Sequence, residues 1–155
     1  MMIALTQGYV AEIDFSDWWK VRGHRWRAHI TPHAVYAYTW HNSKHVPMTK
    51  FIKPVSDGMT LDHADRNGLN NRWNNLRPAT PTQNMSNTRQ DIGMSGFRGV
   101  IRHGYTDKWR ARVSKQGVLH EAGPFDTPVE AAVARDEIAL EVHGEFAVLN
   151  FPLEK

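Results

Sequence analysis

The residues best suited to chemistry in this chain lie between positions 62 and 84. Asp62 and His63 are adjacent, and Asn84, a side chain that could bind a metal, follows 22 positions after the acid. Hydrolysis of a phosphodiester with one metal ion needs an imidazole that accepts a proton from water, and oxygen ligands that hold a divalent cation against the phosphate. His63 is therefore the candidate general base. Asp62 and Asn84 are the candidate ligands for one divalent ion, magnesium or manganese.

An Asp-His pair alone does not identify such a site, because most such pairs are surface residues without chemistry. The surrounding segment adds specificity, since it reads LDHADRNGLNNRWNNLRPATPTQN from position 61. It resembles the HNH homing-type endonucleases, whose usual pattern is Asp-His-x-Asp-x-x-x-x-Asn-Asn-Arg-x-x-Asn-Leu-Arg, followed by Gln-Asn. The resemblance covers about residues 46 to 90 and includes Asn75-Leu76-Arg77 and Gln83-Asn84.

The resemblance implies a ββα-metal module and roles for further residues. Asn75 is predicted to orient the ring of His63 through its side chain or its backbone carbonyl. Lys50, Arg72 and Arg77 are predicted to contact DNA. The family often has Met-His-Arg where this chain has Met48-Thr49-Lys50, so a positive charge is kept there without the bidentate fork of an arginine.

Local signals predict the elements of this module. Val46 to Ile52 and Met59 to Asp62 are predicted strands, separated by a turn at Asp57-Gly58. Thr80 is a suitable N-cap, Pro81 suits the first helical position, and Gln83 completes a capping box. Asn84 is then expected in the first turn of a helix that packs beside the strand of Asp62 and closes the metal site.

Composition limits the classes of protein that fit. The chain has 155 residues, a formal net charge of +3, a pI of about 9.3 and no cysteine. Disulfides and cysteine-based zinc sites are therefore excluded. The basic balance is compatible with a polyanionic partner. No basic leader or long apolar run is visible, so we expect no membrane association and a location in the cytoplasm, that of the host cell if a phage encodes the protein.

Residues 1–45 are predicted to form a β-rich N-terminal region, with strands at Tyr9–Ile13 and Val35–Tyr38. Between these strands, three tryptophans alternate with basic residues: Trp18, Trp19, Trp26, Lys20, Arg22, Arg25 and Arg27. Such a mixture can bind nucleic acid. In the alternative, which we favour for the tryptophans, they fill a core and the basic residues form its solvated surface. His41 and His45 have metal-like spacing, but without an acid nearby they are better explained as solvated or facing nucleic acid.

A further segment, residues 91–155, follows a predicted linker at residues 88–95. Three short strands are expected, with turns at His103-Gly104, Lys115-Gln116-Gly117 and Gly123-Pro124. A capping box from Thr127 to Glu130 opens a helix that Gly144 ends. Six basic residues and one acid lie between positions 98 and 115, and alternation places Arg110 and Arg112 on one face of their strand. This segregation favours DNA binding over a sheet with randomly solvated arginines.

Residues 95–152 resemble the Apetala-type, or ethylene-response-factor-type, DNA-binding domain, a three-stranded antiparallel sheet packed on one helix. The resemblance assigns DNA contacts to Arg98, Arg102, Trp109, Arg110 and Arg112. By alternation, however, Trp109 belongs with the packing face. The family often has Tyr-Asp where this chain has Arg135-Asp136. The order of the two modules resembles small mobile endonucleases of bacteriophages.

The sequence thus predicts an α+β protein of three parts: residues 1–45, an HNH module at 46–90 and a DNA-binding domain at 91–155. The predicted function is a metal-dependent, site-preferring DNA endonuclease whose partner is double-stranded DNA. No heptad repeat is present, so a monomer that nicks one strand is expected. The alternatives are a non-catalytic DNA-binding regulator that retains a nuclease fold and, less favoured, a protein–protein adaptor.

Overall fold

The chain divides into two compact units, Met1–Asn84 and Met85–Lys155, of which the computed structural model describes residues 1–86 and 92–152. Small antiparallel sheets and a few helices make up both units, which confirms the α+β class. Positions 88–91 of the predicted linker lie outside the described residues. In the described ranges, no helix is long and apolar enough to cross a membrane.

The first unit contains seven strands in three sheets and three short helices. Strands β1 (Met2–Ala4) and β2 (Val10–Glu12) form a pair, and helix α1 (Trp18–Val21) follows. Strands β3 (Arg27–Ile30), β4 (Val35–His41) and β5 (Lys44–Pro47) form the N-terminal sheet, followed by helix α2 (Thr49–Ile52). Strands β6 (Thr60–His63) and β7 (Leu76–Ala79) pair, and helix α3 (Pro81–Ser86) ends the unit.

One hydrophobic core serves the whole first unit. Ile13 of the N-terminal region, Met48 and Ile52 around α2, and Leu76 of β7 are buried in the same cluster. The N-terminal region and the HNH module, which the sequence separates at residue 46, therefore share a core. Of the three tryptophans, Trp26 is buried in this core, Trp18 packs against it and Trp19 is exposed.

The predicted strand from Val46 to Ile52 is wrong. Strand β5 ends at Pro47, and the chain turns at once into helix α2. Met48, Thr49 and Ile52 are buried while Lys50 is exposed. Positions i, i+1 and i+4 lie toward one side of a helix, whereas adjacent residues of a strand point to opposite faces. Lys50, predicted to lie on the strand, is an exposed residue of this helix.

In its described residues, the second unit consists of a three-stranded antiparallel sheet and one α-helix. Strands β8 (Val100–Arg102), β9 (Trp109–Lys115) and β10 (Val118–Phe125) form the C-terminal sheet in the order β10-β9-β8, and helix α4 spans Pro128–His143. Thr127 and Glu130 form the predicted capping box, and Gly144 is the C-cap. The turn predicted at Gly123-Pro124 is wrong, because these residues lie within β10, where the pairing register shifts between Ala122 and Phe125.

Helix α4 also fastens the last residues that the structure describes. The Asp136 carboxylate accepts hydrogen bonds from the backbone N–H groups of Asn150 (2.6 Å) and Phe151 (2.9 Å). The Asn150 side chain in turn accepts from the N–H of Arg98 (2.7 Å) and donates to its carbonyl (3.1 Å). Phe146 is buried, so this segment closes the core of the second unit, as its apolar sequence predicts.

Candidate active site

The acid and the histidine of the motif both lie on strand β6, which pairs with β7. In this antiparallel pair Asp62 lies opposite Arg77 and His63 lies opposite Leu76. Nε of Arg77 donates to Oδ2 of Asp62 at 2.8 Å, and both Asp62 and His63 are buried. A buried carboxylate requires such a charged partner, so Arg77 supports the acid in this structure.

The asparagine-rich loop between β6 and β7 is built around Asp65. One carboxylate oxygen of Asp65 accepts from the backbone N–H of Asn67 (2.8 Å) and from Nδ2 of Asn75 (2.9 Å). The other oxygen accepts from Nδ2 of Asn70 at 2.7 Å, and the amide oxygen of Asn75 accepts from the N–H of Asp65 at 3.0 Å. The asparagines thus supply the polar partners that an irregular backbone lacks, which explains their abundance.

The N-terminal region holds this loop in place. The N–H of Glu12 donates to the carbonyl of Leu69, and the N–H of Asn71 donates to the carbonyl of Glu12, both at 2.7 Å. The Asp14 carboxylate accepts from the N–H of Trp73, also at 2.7 Å. Hydrogen bonds from strand β2 and the residues after it therefore fix the conformation of the loop.

Strand β4 approaches the loop from the N-terminal sheet. A Cβ atom at Gly68 would lie 2.4 Å from a ring carbon of Tyr36 and 2.5 Å from the carbonyl oxygen of Val35. Only glycine permits that approach. The ring of Tyr36 lies 5.9 Å from the ring of His63, measured between centroids. Burial raises the pKa of Tyr36, and the charge of Asp62 adds to the shift. Tyr36 therefore borders the site as a neutral phenol.

Asn71 contacts His63 directly. Nδ2 of Asn71 donates to the carbonyl of Leu69 at 3.1 Å, and this bond turns the amide oxygen toward Nε2 of His63, 3.3 Å away. An amide oxygen can only accept, so a neutral ring that donates from Nε2 carries its lone pair on Nδ1. The amide of Asn71 thereby selects the tautomer of the imidazole.

The environment of His63 keeps its ring neutral. Burial lowers the pKa of His63 below its ordinary value of about 6.5, while the hydrogen bond to Asn71 and the charges of Asp65 and Asp62 oppose this shift. A ring that is neutral at neutral pH is able to accept a proton, which is the state a general base requires.

Sequence reasoning missed Asn71 and Tyr36. Asn71 could have been predicted, because it is the second of two adjacent asparagines in the motif. The structure shows that it is one of the least exposed polar residues among those described. Tyr36 comes from a separate segment and carried no such signal. The amide of Asn75 bonds to Asp65 and to the carbonyl of Asn70 (2.7 Å), and its backbone carbonyl accepts from Ala64. Its role in orienting His63 stays a prediction.

The proposed metal ligands fit the chemistry of a hard cation. Asp62 and Asn84 offer one carboxylate and one amide oxygen, and magnesium commonly takes its remaining ligands from phosphate and water. The predicted capping box of Thr80 and Gln83 is present, and the N–H of Asn84 bonds to the carbonyl of Thr80 at 3.0 Å. Within the described residues, 1–86 and 92–152, no group of three or more His, Asp or Glu side chains is arranged so that it could hold a metal ion. The metal roles of Asp62 and Asn84 stay predictions.

The basic residues predicted to contact DNA occupy different settings. Arg110 and Arg112 share the exposed face of the C-terminal sheet, and both pair with Glu121, at 3.2 and 2.8 Å. Arg102 lies over the ring of Trp109 at 4.5 Å and pairs with Asp107, while Trp109 packs against the core, as alternation predicts. Arg98 precedes β8, and in the first unit the half-exposed Arg72 pairs with Glu12 at 3.1 Å. Their DNA contacts stay predictions.

Comparisons with known proteins agree with this geometry. Residues 53–86 match the family model described as HNH endonuclease. The chain is 39% identical over 96 residues to an uncharacterised HNH endonuclease of Acanthamoeba polyphaga mimivirus, which covers 62% of this chain and 49% of the relative. It is 32% identical over 95 residues to Protein 3.8 of Escherichia phage T7, covering 61% of this chain and 78% of that protein.

A third similarity is of another kind. The ethylene-responsive transcription factor WRI1 of Arabidopsis thaliana is 39% identical over 64 residues, which is 39% of this chain and 15% of that protein. The chain spans about half the length of the mimivirus relative. No solved structure matches the chain significantly. The segment that matches the HNH endonuclease family model comprises β6, the asparagine-rich loop, β7 and α3, the elements that carry Asp62, His63 and Asn84.

Proposed function

We propose that the protein is a metal-dependent DNA endonuclease with His63 as the general base. One observation carries the proposal: a buried imidazole with a lowered pKa lies next to Asp62 on a strand whose loop is fixed on several sides. A group that must take a proton at neutral pH needs both a neutral ring and a fixed position. His63 has both.

In the proposed reaction His63 removes a proton from a water molecule as the oxygen of that water attacks the phosphorus. The bond from phosphorus to the 3′ oxygen breaks, and the leaving oxygen takes a proton from solvent. Asn71 holds the ring through Nε2 during the transfer. A divalent ion held by Asp62 and Asn84, when bound, would stabilise the negative charge that develops on the phosphate and the leaving oxygen.

Selectivity is proposed to come mainly from the second unit, since phosphates are alike and carry no sequence information. Arg110 and Arg112 on the exposed face of the C-terminal sheet are the best candidates for contacts to guanine or phosphate, together with Arg98. The similarity to ethylene-responsive transcription factors supports this assignment. We further propose a site-preferring enzyme of the homing type that acts as a monomer in the cytoplasm and nicks one strand.

The test is a plasmid time course with and without magnesium or manganese. His63→Ala is expected to slow cleavage by about 10²- to 10⁴-fold, the usual contribution of a general base. His33→Ala, which removes an exposed histidine of the same unit, serves as the matched control and should cut at the normal rate.

Binding to uncut DNA and a thermal melt show whether the His63→Ala protein is folded. A folded variant that binds DNA and still cuts at the wild-type rate would disprove the role of His63. His63→Gln provides a second, more conservative variant in case alanine destabilises this buried position.

A non-catalytic DNA-binding regulator is the second candidate, and one contact favours it. Arg77 already engages one oxygen of Asp62, the residue proposed to bind the metal. In a regulator this pair would be purely structural. Supercoiled plasmid that survives all divalent metals and a range of sequences, while DNA binding is retained, would favour the regulator.

A further inference from the structure

The positive charge of this chain is concentrated in the segment from residue 18 to residue 56. This segment contains seven of the 19 Lys and Arg residues and none of the 16 Asp and Glu residues. The rest of the chain therefore carries 12 basic and 16 acidic residues. Five of the nine histidines also lie in the segment. The three strands of the N-terminal sheet all lie within this segment of the sequence.

One face of the N-terminal sheet is aromatic and basic. Residues directly opposite in antiparallel strands share a face, and three such pairs are Arg27 with Tyr38, His29 with Tyr36, and Trp40 with His45. The face opposite to these residues carries Ala37 and Thr39, which are buried. We call the first set the outer face, formed by Arg27, His29, Tyr36, Tyr38, Trp40 and His45.

The rings of the outer face are arranged against one another. His45 stacks on Tyr38 with centroids 4.5 Å apart and planes 26° apart, and His29 lies 5.1 Å from the same Tyr38. Trp40 lies 6.1 Å from His45 and remains 67% exposed. An exposed indole in a row of ordered rings offers a flat surface that loses little conformational freedom on binding.

The outer face begins at the candidate active site. Tyr36, at one end of the row on β4, has its ring 5.9 Å from that of His63. Tyr38 and Trp40 follow at alternate positions of the same strand, so the row leads away from His63 step by step. A molecule bound at His63 with an extended shape would meet this row next.

We propose that the outer face binds the DNA that flanks the scissile phosphate. Tyr38, His45 and Trp40 contact bases or sugars through their flat faces, and Arg27 contacts the phosphate backbone. A positive surface with interleaved aromatic rings is the combination that holds nucleic acid without reading its sequence. The inference rests on the proposed function, because it takes the DNA at His63 as the ligand.

The test compares two tryptophans with nearly equal exposure. Trp40 on the outer face is 67% exposed and Trp19 on helix α1 is 66% exposed. Each is replaced by alanine in a chain that also carries His63→Ala, so that the DNA duplex stays intact during a binding titration. Trp40→Ala is expected to weaken binding about tenfold, within the range for loss of one aromatic contact to a base. Trp19→Ala should change the affinity little.

Three further measurements make the result decisive. Trp40→Phe should restore most of the affinity, because it keeps a ring, and thermal melts should show all variants folded. Footprints should lose protection on one side of the cleavage position with Trp40→Ala alone. Equal affinity of the Trp40→Ala and Trp19→Ala proteins for the DNA duplex would overturn the inference, because the outer face would then not be a DNA-binding surface.

The outcome is independent of whether the protein cuts DNA. Loss of affinity with Trp40→Ala in a protein whose His63-intact form never cuts would support DNA binding by the outer face and reject both the nuclease proposal and the placement of that DNA beside a scissile phosphate. Normal cutting together with unchanged affinity would do the reverse.

Discussion

The N-terminal and C-terminal sheets have the same design but differ in how many acidic residues accompany their basic ones. Each is a three-stranded antiparallel sheet that packs one face on a core and carries arginine on the other face. In the C-terminal sheet, Arg110 and Arg112 both reach Glu121 on the neighbouring strand. In the segment around the N-terminal sheet there is no acid at all from residue 18 to residue 56. The count of basic residues alone does not reveal this difference.

The difference suggests a division of work between the two sheets. An arginine that is already paired gains only the difference in interaction free energy between its old partner and its new one. The arginines of the C-terminal sheet should therefore bind tightly only to ligands that offer better contacts than Glu121, and so discriminate between ligands. A surface whose segment carries no acid attracts every stretch of phosphate backbone alike. We therefore expect the N-terminal sheet to contribute affinity and the C-terminal sheet to contribute selectivity.

Among variants outside the proposed catalytic and metal-binding residues, the largest expected effect comes from a single methyl group in the first unit. Gly68→Ala would place a Cβ atom 2.4 Å from the ring of Tyr36 and 2.5 Å from a backbone oxygen, so β4 and the loop must separate. We expect cleavage to fall about 100-fold, since displacement of a catalytic group by about 1 Å has effects of that size. Stability should fall by about 1–3 kcal/mol, as in overpacked cores.

Gly93→Ala in the second unit is the matched control for Gly68→Ala. A Cβ atom at Gly93 has nothing within 4 Å. This variant should keep the cleavage rate and the melting temperature of the unmodified chain. Normal cleavage by Gly68→Ala would show that the contact with Tyr36 does not position His63.

A pair of neutralised arginines tests the division of work. Arg27→Gln on the outer face should weaken binding to random-sequence duplex several-fold and reduce the slope of log K against log salt by about 0.9, the value for one phosphate contact. Arg112→Gln should change both quantities less, because Glu121 already compensates that charge at 2.8 Å. Titrations at several salt concentrations measure both effects.

Glu121→Gln extends this test in the opposite direction. Removing the shared acid leaves Arg110 and Arg112 without their carboxylate partner, so affinity for random-sequence duplex should rise a few-fold and preference between sequences should fall. An unchanged salt slope in the Glu121→Gln protein, or an equal loss for Arg27→Gln and Arg112→Gln, would remove the proposed contrast between the sheets.

The smallest expected effect concerns pH. Burial lowers the pKa of His63 below about 6.5, so the ring loses its proton as pH rises through that lower value and kcat/KM should rise with it. His143 of the second unit also has a lowered pKa, through burial and the charges of Lys115 and Arg135. His143→Gln should leave the acid limb unchanged. A midpoint above 6.5, or a limb that moves with His143→Gln, would contradict the assignment to His63.

Local signals in the sequence were sufficient for several elements. The capping boxes at Thr80 and Thr127 depend on neighbouring residues only, and both are present. Alternation along β9 correctly separated Arg110 and Arg112 from Trp109, Ala111 and Val113. The strand that delivers His63, predicted at Met59 to Asp62, is β6, whereas its pairing partner β7 was not predicted.

Contacts between distant segments escaped prediction. Helix α2 was taken for a strand because its four residues are too few to show a period, and the burial of Met48 and Ile52 on either side of the exposed Lys50 fits a strand as well as a helix. Tyr36 reaches the site from 27 positions before His63. The pairing of Arg112 with Glu121 depends on the strand register, which composition does not reveal.

The bonds among Asp136, Asn150 and Arg98 have a consequence for how such proteins arise. They join Arg98, before strand β8, to Asn150, after helix α4, so the chain enters and leaves this sheet-and-helix module at nearby points. A module whose ends meet can be inserted into an unrelated gene, or lost from it, without stretching the chain on either side. Recombination would then readily exchange it between lineages, which fits the similarity of this chain both to a viral HNH endonuclease and to a plant transcription factor.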